Sequence, residues 1–270
     1  MLQGYNKLPP AHALRFDLQS GQAQVWPYSQ LPDLASEHGA ADDESLLDEL
    51  EALLQESVSA QMTADVPVGV LLSGGVDSSL VTAMAVRASS QLQTFSIGFP
   101  GHGKADETEY ARLIARHFGT RHTELMAEDA SADLLPRLAQ QFDEPIIDSS
   151  MVPTFLVSQL VRQNCTVALG GDGGDELFGG FLLKRLCSRL LPPEFDLQRK
   201  QEFSIPMNVW LKGGPFRTLF DDVLRDPQCS FDAQTVNKLM RDQDKGHFNG
   251  ERLFGLVMFE LWRREYGISF

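Results

Sequence analysis

Apolar positions along the chain keep two rhythms, and the rhythms alternate. Residues 68–72, 94–99, 122–125 and 166–169 read as short strands, near-continuous apolar runs of the kind buried on both faces of a sheet. Between them, apolar residues return every three or four positions. Residues 45–60 place Leu46, Leu47, Leu50, Leu53, Leu54 and Val58 on one helical face, with Asp42 and Asp43 at the cap. Residues 107–118 do the same with Tyr110, Leu113, Ile114 and Phe118. Further helices are predicted over 78–88, 130–141 and 151–162, and over 250–264, where apolar residues lie on most sides and imply burial. Strand–helix alternation predicts an α/β fold, a twisted parallel sheet with helices on both faces. Ahead of it, residues 13–18 and 22–26 flank a Ser20-Gly21 turn and read as a β-hairpin, followed by a polar linker over 31–42. Past Gly180 the pattern weakens, and residues 192–214 read as irregular.

Two glycine-rich stretches sit where strands end. The first is Ser73-Gly74-Gly75-Val76-Asp77-Ser78-Ser79, between the strand at 68–72 and the helix at 78–88. Glycines allow backbone amides to approach an anion, and a helix start adds the positive end of a macrodipole. No lysine follows the glycines, so this is not the GxxxxGK[ST] loop, and hydroxyls and amides must do the cradling. Asp77 could hold Mg²⁺ against phosphate oxygens; as a capping residue alone it leaves the serine-rich surround unexplained. The second stretch runs from Leu169 through Gly170, Gly171, Asp172, Gly173, Gly174, Asp175 and Glu176 to Gly180. Three carboxylates in five residues repel one another unless a cation balances them, and the calcium-loop spacing D-x-[DN]-x-[DN]-G is not met. A mobile acidic loop is the plain alternative.

Weaker signals follow. Asp148, Ser149 and Ser150 could line the same opening or cap the next helix. Arg199-Lys200 could neutralise charge developing on phosphate, or be a solvated basic turn. Asp106 suits a helix cap with Glu109 reaching back, and His117 and His122 read as structural. The chain has 270 residues and carries Lys+Arg 23 against Asp+Glu 37, net −14. That balance argues against a nucleic-acid surface and against anionic lipid. The three scattered cysteines, Cys165, Cys187 and Cys229, form neither a disulfide framework nor a zinc site. With no signal peptide and no run of about 20 apolar residues, the expected location is cytoplasmic.

Taken in order, VPVGVLLSGGVDSS, TFSIGF, DETEYARLIARHFGTRHTEL, DEPIIDSSMVPTFLVSQLVR, LGGDGGDELFGGF and RKQEFSIPMNVWL resemble the synthetase domain of glutamine-hydrolysing asparagine synthetases. These belong to the N-type ATP pyrophosphatases, whose pyrophosphate loop (PP-loop) is matched by SGGVDSS. The resemblance implies that ATP adenylates the side-chain carboxylate of aspartate, releasing pyrophosphate, and that ammonia converts the acyl-adenylate to the amide and AMP. It places Leu72 and Ile97 beside the adenine, and Gly170 and Gly171 on the nucleotide. Ser73, Gly74, Gly75, Ser78 and Ser79 fall on the pyrophosphate, and Asp77 and Asp175 on Mg²⁺. Asp172 stands where an acidic residue acts in amide formation, and Lys200 where a lysine stabilises the adenylation transition state.

The resemblance is incomplete. Residue 2 is Leu where the family's glutaminase half has its catalytic Cys, so ammonia is expected free or from a separate glutaminase partner. Between Leu183 and Lys184 the family's long helical segment, which carries much of the acceptor pocket, is expected to be missing. Glu202 replaces the glycine after Lys-Gln. The expected organisation is a hairpin and linker over 1–41, an ATP-pyrophosphatase domain over 42–215 and a helical extension over 216–270. Two alternatives stay open: a non-catalytic ATP-binding remnant acting with a full-length or glutaminase partner, and a relative using another carboxylate; the apolar surface that the missing segment would cover is expected to drive self-association.

Overall fold

The computed structural model describes residues 4–30, 42–101, 106–127, 132–174, 180–199 and 205–269. The chain divides into two compact units, Met1–Ser45 and Leu46–Phe270. In the first, β1 (His12–Phe16) pairs antiparallel with β2 (Ala23–Pro27). Its turn is set by Asp17, whose carboxylate accepts the Gln19 and Ser20 amides at 2.9 and 2.7 Å, and by Gly21 at φ 68°. This is the hairpin that the alternation predicts.

The second unit is the α/β sheet. Four strands, β3 (Val68–Leu71), β4 (Gln93–Gly98), β5 (Arg121–Met126) and β6 (Val167–Leu169), lie in the order β5-β4-β3-β6, all parallel. Val70 is aligned with Thr94 on one side and Leu169 on the other. Alternation along the strands splits the interior into two cores. Val70 and Leu72 point into a cluster with Leu47 and Leu50 of α1 (Asp43–Met62), Met84 of α2 (Val76–Ala88), Ile114 of α3 (Thr108–Phe118) and Leu186 of α6 (Phe181–Leu190). Phe95, Ile97 and Phe99 join a larger cluster with α4 (Leu134–Gln141) and α5 (Met151–Asn164). The same cluster takes in the C-terminal helices α7 (Met207–Trp210), α8 (Gly214–Leu224), α9 (Ala233–Asp244) and α10 (Gly250–Glu265). Helices therefore cover both faces, as the alternation predicts, and α10 is buried, with Leu253, Phe254, Val257 and Met258 at the centre of its cluster.

Several expectations are refined. The weak pattern past Gly180 conceals α6, whose Leu183, Leu186 and Cys187 are buried. Pro215 opens α8 rather than breaking it, because the first helical turn needs no proline N–H. The N-cap of α3 is Glu107 rather than Asp106, and its side chain pairs with Arg199 instead of capping, while Asp106, one residue earlier, accepts the Thr108 amide at 3.1 Å and hydroxyl at 2.8 Å. Ser149 donates to Glu251 at 2.9 Å, tying the start of α5 to α10 instead of capping its own helix. His122 is structural, as expected. It is sandwiched against β4, with Nδ1 at 2.9 Å from Thr94 Oγ1 and Nε2 at 3.2 Å from Ser96 Oγ.

Candidate active site

The Ser73–Ser79 loop leaves β3 at the carboxyl edge of the sheet, and Leu72 still donates its amide to Phe95 O at 2.8 Å. The chain then reverses through Gly74 at φ 77°. Only glycine suits this position twice over: a Cβ would need the left-handed region and would sit 2.6 Å from Ala111 N and from the Tyr110 carbonyl carbon. Gly75 is different. Its φ of −79° and ψ of 172° suit any residue, and a Cβ would meet nothing closer than Ser73 Oγ at 3.4 Å.

Hydroxyls hold the turn. Ser78 Oγ lies 2.9 Å from Ser73 Oγ, accepts the Ser73 amide at 3.3 Å and reaches Gly75 O at 3.4 Å, while Ser73 Oγ accepts the Gly75 amide at 3.2 Å. Thr82 donates to Ser78 O at 2.8 Å, fixing the first turn of α2. Ser79 is fully buried, and its Oγ finds no hydrogen-bond partner among the described residues. A buried hydroxyl without a partner forfeits solvation, so it is a site of stored cost or of function.

The second glycine-rich stretch closes over Asp77. β6 is the neighbour of β3, so its loop emerges beside the Ser73–Ser79 loop. A Cβ on Gly171 would stand 2.7 Å from Ser78 N and 2.8 Å from Asp77 Cβ, and one on Gly174 would collide with the Asp77 carboxylate. Gly171 is therefore required by close packing on backbone, at Gly174 a side chain would force the Asp77 carboxylate to turn, and Gly173, at φ 89°, faces open space. Asp172 is exposed, yet its carboxylate folds back over Gly170, where an added Cβ would stand 2.7 Å from Oδ2. A cavity of about 160 Å³ lies between Asp77, Gly170 to Gly174 and apolar residues of α1, α2 and α6, among them Val58, Leu80 and Leu183.

Beneath the first turn of α2, Cys187 Sγ contacts Val76 O at 3.8 Å. Burial, with a smaller push from Asp77, drives its thiol up to about 12, so it stays protonated. Leu72 and Ile97 are nearly fully buried and belong to the two opposite cores. Any approach of a purine between them is thus along the main-chain edges of β3 and β4. Asp175 and Lys200 lie outside the described residues. Asp77 offers hard carboxylate oxygens beside two glycine loops, a donor type that suits Mg²⁺. Among the described residues no group of three or more His, Cys, Asp or Glu side chains gathers to hold a metal on its own.

Sequence comparison settles what this edge belongs to. The profile of the asparagine synthase family matches residues 49–182 and 181–264. The chain belongs to the asparagine synthase family. An archaeal member from Methanocaldococcus jannaschii, provisionally named a glutamine-hydrolyzing asparagine synthetase, is 39% identical over 65% of this chain and 34% of its own length. Asparagine synthetase 1 of Bacillus subtilis is 34% identical over 57% of this chain and 24% of its own, and asparagine synthetase B of Escherichia coli 32% identical over 50% and 27%. The chain thus spans about a quarter to a third of the length of these asparagine synthase relatives. Among solved structures, NMN synthetase from Francisella tularensis aligns at TM-score 0.42 and 15% identity, over 78% of this chain and 97% of that one. No helix among the described residues is long and apolar enough to cross a membrane.

The sequence reading missed two features of the site. One is the Ser73–Ser78 hydroxyl pair, whose spacing of five carried no signal before the turn geometry was known. The other is the contact between Gly74 and Tyr110, which joins segments that the sequence keeps apart.

Proposed function

We propose that the chain uses ATP to activate the side-chain carboxylate of aspartate as an acyl-adenylate, releasing pyrophosphate, and that ammonia then displaces AMP to leave the amide of asparagine. The observation that carries the reading is the juxtaposition of two loops at the carboxyl edges of adjacent strands β3 and β6, with Gly171 and Gly174 packed onto Asp77, in a chain that the asparagine synthase profile matches over most of its length.

In this reading the amides of the first turn of α2, with Ser73, Ser78 and Ser79, hold the pyrophosphate as it leaves, which is electrostatic work on developing phosphate charge. Gly170 and Gly171 border the nucleotide. Lys200 neutralises charge as the carboxylate attacks the α-phosphorus. Asp172, exposed at the opening, assists the ammonia step. Asp77 and Asp175 would hold Mg²⁺, which supplies charge neutralisation on the phosphates when bound. A separate glutaminase partner, or free ammonia, supplies the nitrogen. We place the ATP-handling part in residues 42–215, with the helices beyond as an extension, and the reaction in the cytoplasm.

The test is ATP–pyrophosphate exchange with aspartate. Exchange that depends on aspartate supports adenylation; ATP binding without exchange leaves a nucleotide-binding remnant. The profile match in two pieces, meeting where Phe181 begins α6 with its side chain 67% exposed, is the observation that favours that second reading. Exchange with a different carboxylate identifies another acceptor.

A further inference from the structure

We infer that Glu107, Tyr110 and Arg199 are positioning residues, a clamp that ties the Gly74 turn of the PP-loop to the segment that continues into Lys200. The inference rests on the role proposed for Lys200 above, and three contacts in series carry it. The Gly74 turn packs directly on the main chain of Tyr110 and Ala111, where not even a methyl group would fit. The ring of Tyr110 lies 4.0 Å from the Arg199 guanidinium carbon, a cation–π stack. Arg199 Nη2 in turn donates to Glu107 Oε1 at 2.5 Å, with the two side chains only 12% and 10% exposed. Lys200 follows Arg199 by one peptide link.

The chain arriving at Arg199 is itself fixed. Phe195 is buried in the core beside α1 and α6, its amide bonded to Pro192 O at 2.9 Å. Asp196 then takes the Gln198 amide on its carboxylate at 2.9 Å and the Arg199 amide on its carbonyl at 3.4 Å. A buried ion pair is a poor way to gain stability, because desolvation offsets the Coulomb attraction, whereas it is an exacting way to fix a register. Burial holds the Glu107 carboxyl above the usual carboxylate range against the opposing pull of Arg199, the expected condition of a charge withdrawn from water for its partner. From the sequence, Glu107 belongs with a capping cluster, Tyr110 with the apolar face of its helix, and Arg199 with a segment that either neutralises phosphate charge or is a solvated basic turn. None of these readings brings Arg199 across to α3 or turns Glu107 away from its own helix end.

The test compares Glu107→Gln, Tyr110→Leu and Arg199→Lys with the wild type in two assays. Limited trypsinolysis, read by mass spectrometry, follows cleavage after Arg199, whose side chain the clamp holds, and is independent of any catalytic activity. The clamp predicts that this cleavage speeds up about tenfold in Glu107→Gln and Tyr110→Leu while sites outside residues 195–204 keep their rates, and less in Arg199→Lys, which retains the charge. In ATP–pyrophosphate exchange, kcat should fall roughly 10- to 100-fold with KM for ATP within about threefold, the pattern of an interaction made in the transition state and not in nucleotide binding. Unchanged cleavage and kcat in both Glu107→Gln and Tyr110→Leu would overturn the clamp. So would a rise in KM matching the fall in kcat, which would mean that these residues only shape the ATP site. If Glu107→Gln does not fold, Tyr110→Leu decides, because it keeps the ion pair; failure of both to fold would assign a purely structural role and also overturn the clamp. A wild type without exchange would sink the adenylation reading while leaving the cleavage result to judge the clamp.

Discussion

Gly75→Ala separates a glycine needed by the fold from one needed by a ligand. At Gly75 the backbone is extended, with φ −79° and ψ 172°, and the added methyl meets only a hydroxyl at 3.4 Å. Gly75 is the N-cap of α2, where alanine is the poorer residue by roughly 0.5–1 kcal/mol. Alanine also narrows the unfolded ensemble and returns about 0.4–1 kcal/mol. The two nearly cancel, so stability should stay within about 0.5 kcal/mol of wild type. If a phosphate group settles on the first-turn amides of α2, however, it must pass over Gly75, and the methyl stands in its way. Loss of one hydrogen bond to a charged oxygen costs about 1.5–3 kcal/mol, a 10- to 150-fold weaker Kd for ATP. Calorimetric titration with ATP, alongside a urea melt, measures both numbers on one preparation. An alanine variant of normal stability that binds ATP within twofold of wild type would refute the phosphate-loop argument. Gly171→Ala is the contrasting control. Its Cβ would stand 2.7–2.9 Å from Ser78 N and from the Cβ and carbonyl carbon of Asp77, overpacking that costs about 1–3 kcal/mol of stability as well as binding.

Ser78→Ala removes the hydroxyl that accepts the Ser73 amide and meets Ser73 Oγ; urea melts should show a loss of about 1–2 kcal/mol, with ATP affinity falling in parallel. Asp77→Asn should weaken ATP binding about tenfold in the presence of Mg²⁺ and much less with EDTA, and equal losses in both buffers would remove Asp77 from metal binding. The Cys187 thiol, pushed up to about 12 by burial, should resist a disulfide reagent at pH 8 in the native chain and react once urea unfolds it. His122 is held below its ordinary value of 6.5 by burial, with Glu124 opposing and Arg112 reinforcing the shift. The unfolded chain therefore takes up a proton that the native chain refuses. Stability should be complete above pH 6.5 and decline below it by up to about 1.4 kcal/mol per pH unit. His122→Asn should flatten that limb between pH 7 and 5.5; equal slopes in the two proteins would exclude His122 as its source.

The strands and the two glycine-rich loops could be read from the sequence because their causes are local. Val68 to Leu71 is apolar because both of its faces are covered, and Gly74 is glycine because φ is positive there. What escaped depends on distant partners. Gly171 looks like a flexible loop residue until Asp77 is found against it. Arg199 looks like a solvated cation until Tyr110 and Glu107 are placed beneath it. α9 was hidden for another reason: only Val236, Met240 and Gln243 are buried on it, and its clearest local signal is Asp232 accepting the Thr235 amide at 2.8 Å, a cap rather than a stripe.

The sheet order carries a consequence for how the chain comes to be folded. β3 finds β4, and β4 finds β5, each from the next stretch of sequence, but the other side of β3 waits for β6. Val70 therefore gains its second partner only when Leu169 has left the ribosome. Non-local parallel pairing is slow because the loop must be closed before its contacts repay the cost. Until then, half of the opening around Asp77 is absent and the flank of β3 is an uncapped edge, the kind of surface that pairs with other chains. A nascent or truncated chain ending before residue 167 should thus hold the SGGVDSS turn without its counterpart, and bind chaperones before it can bind nucleotide.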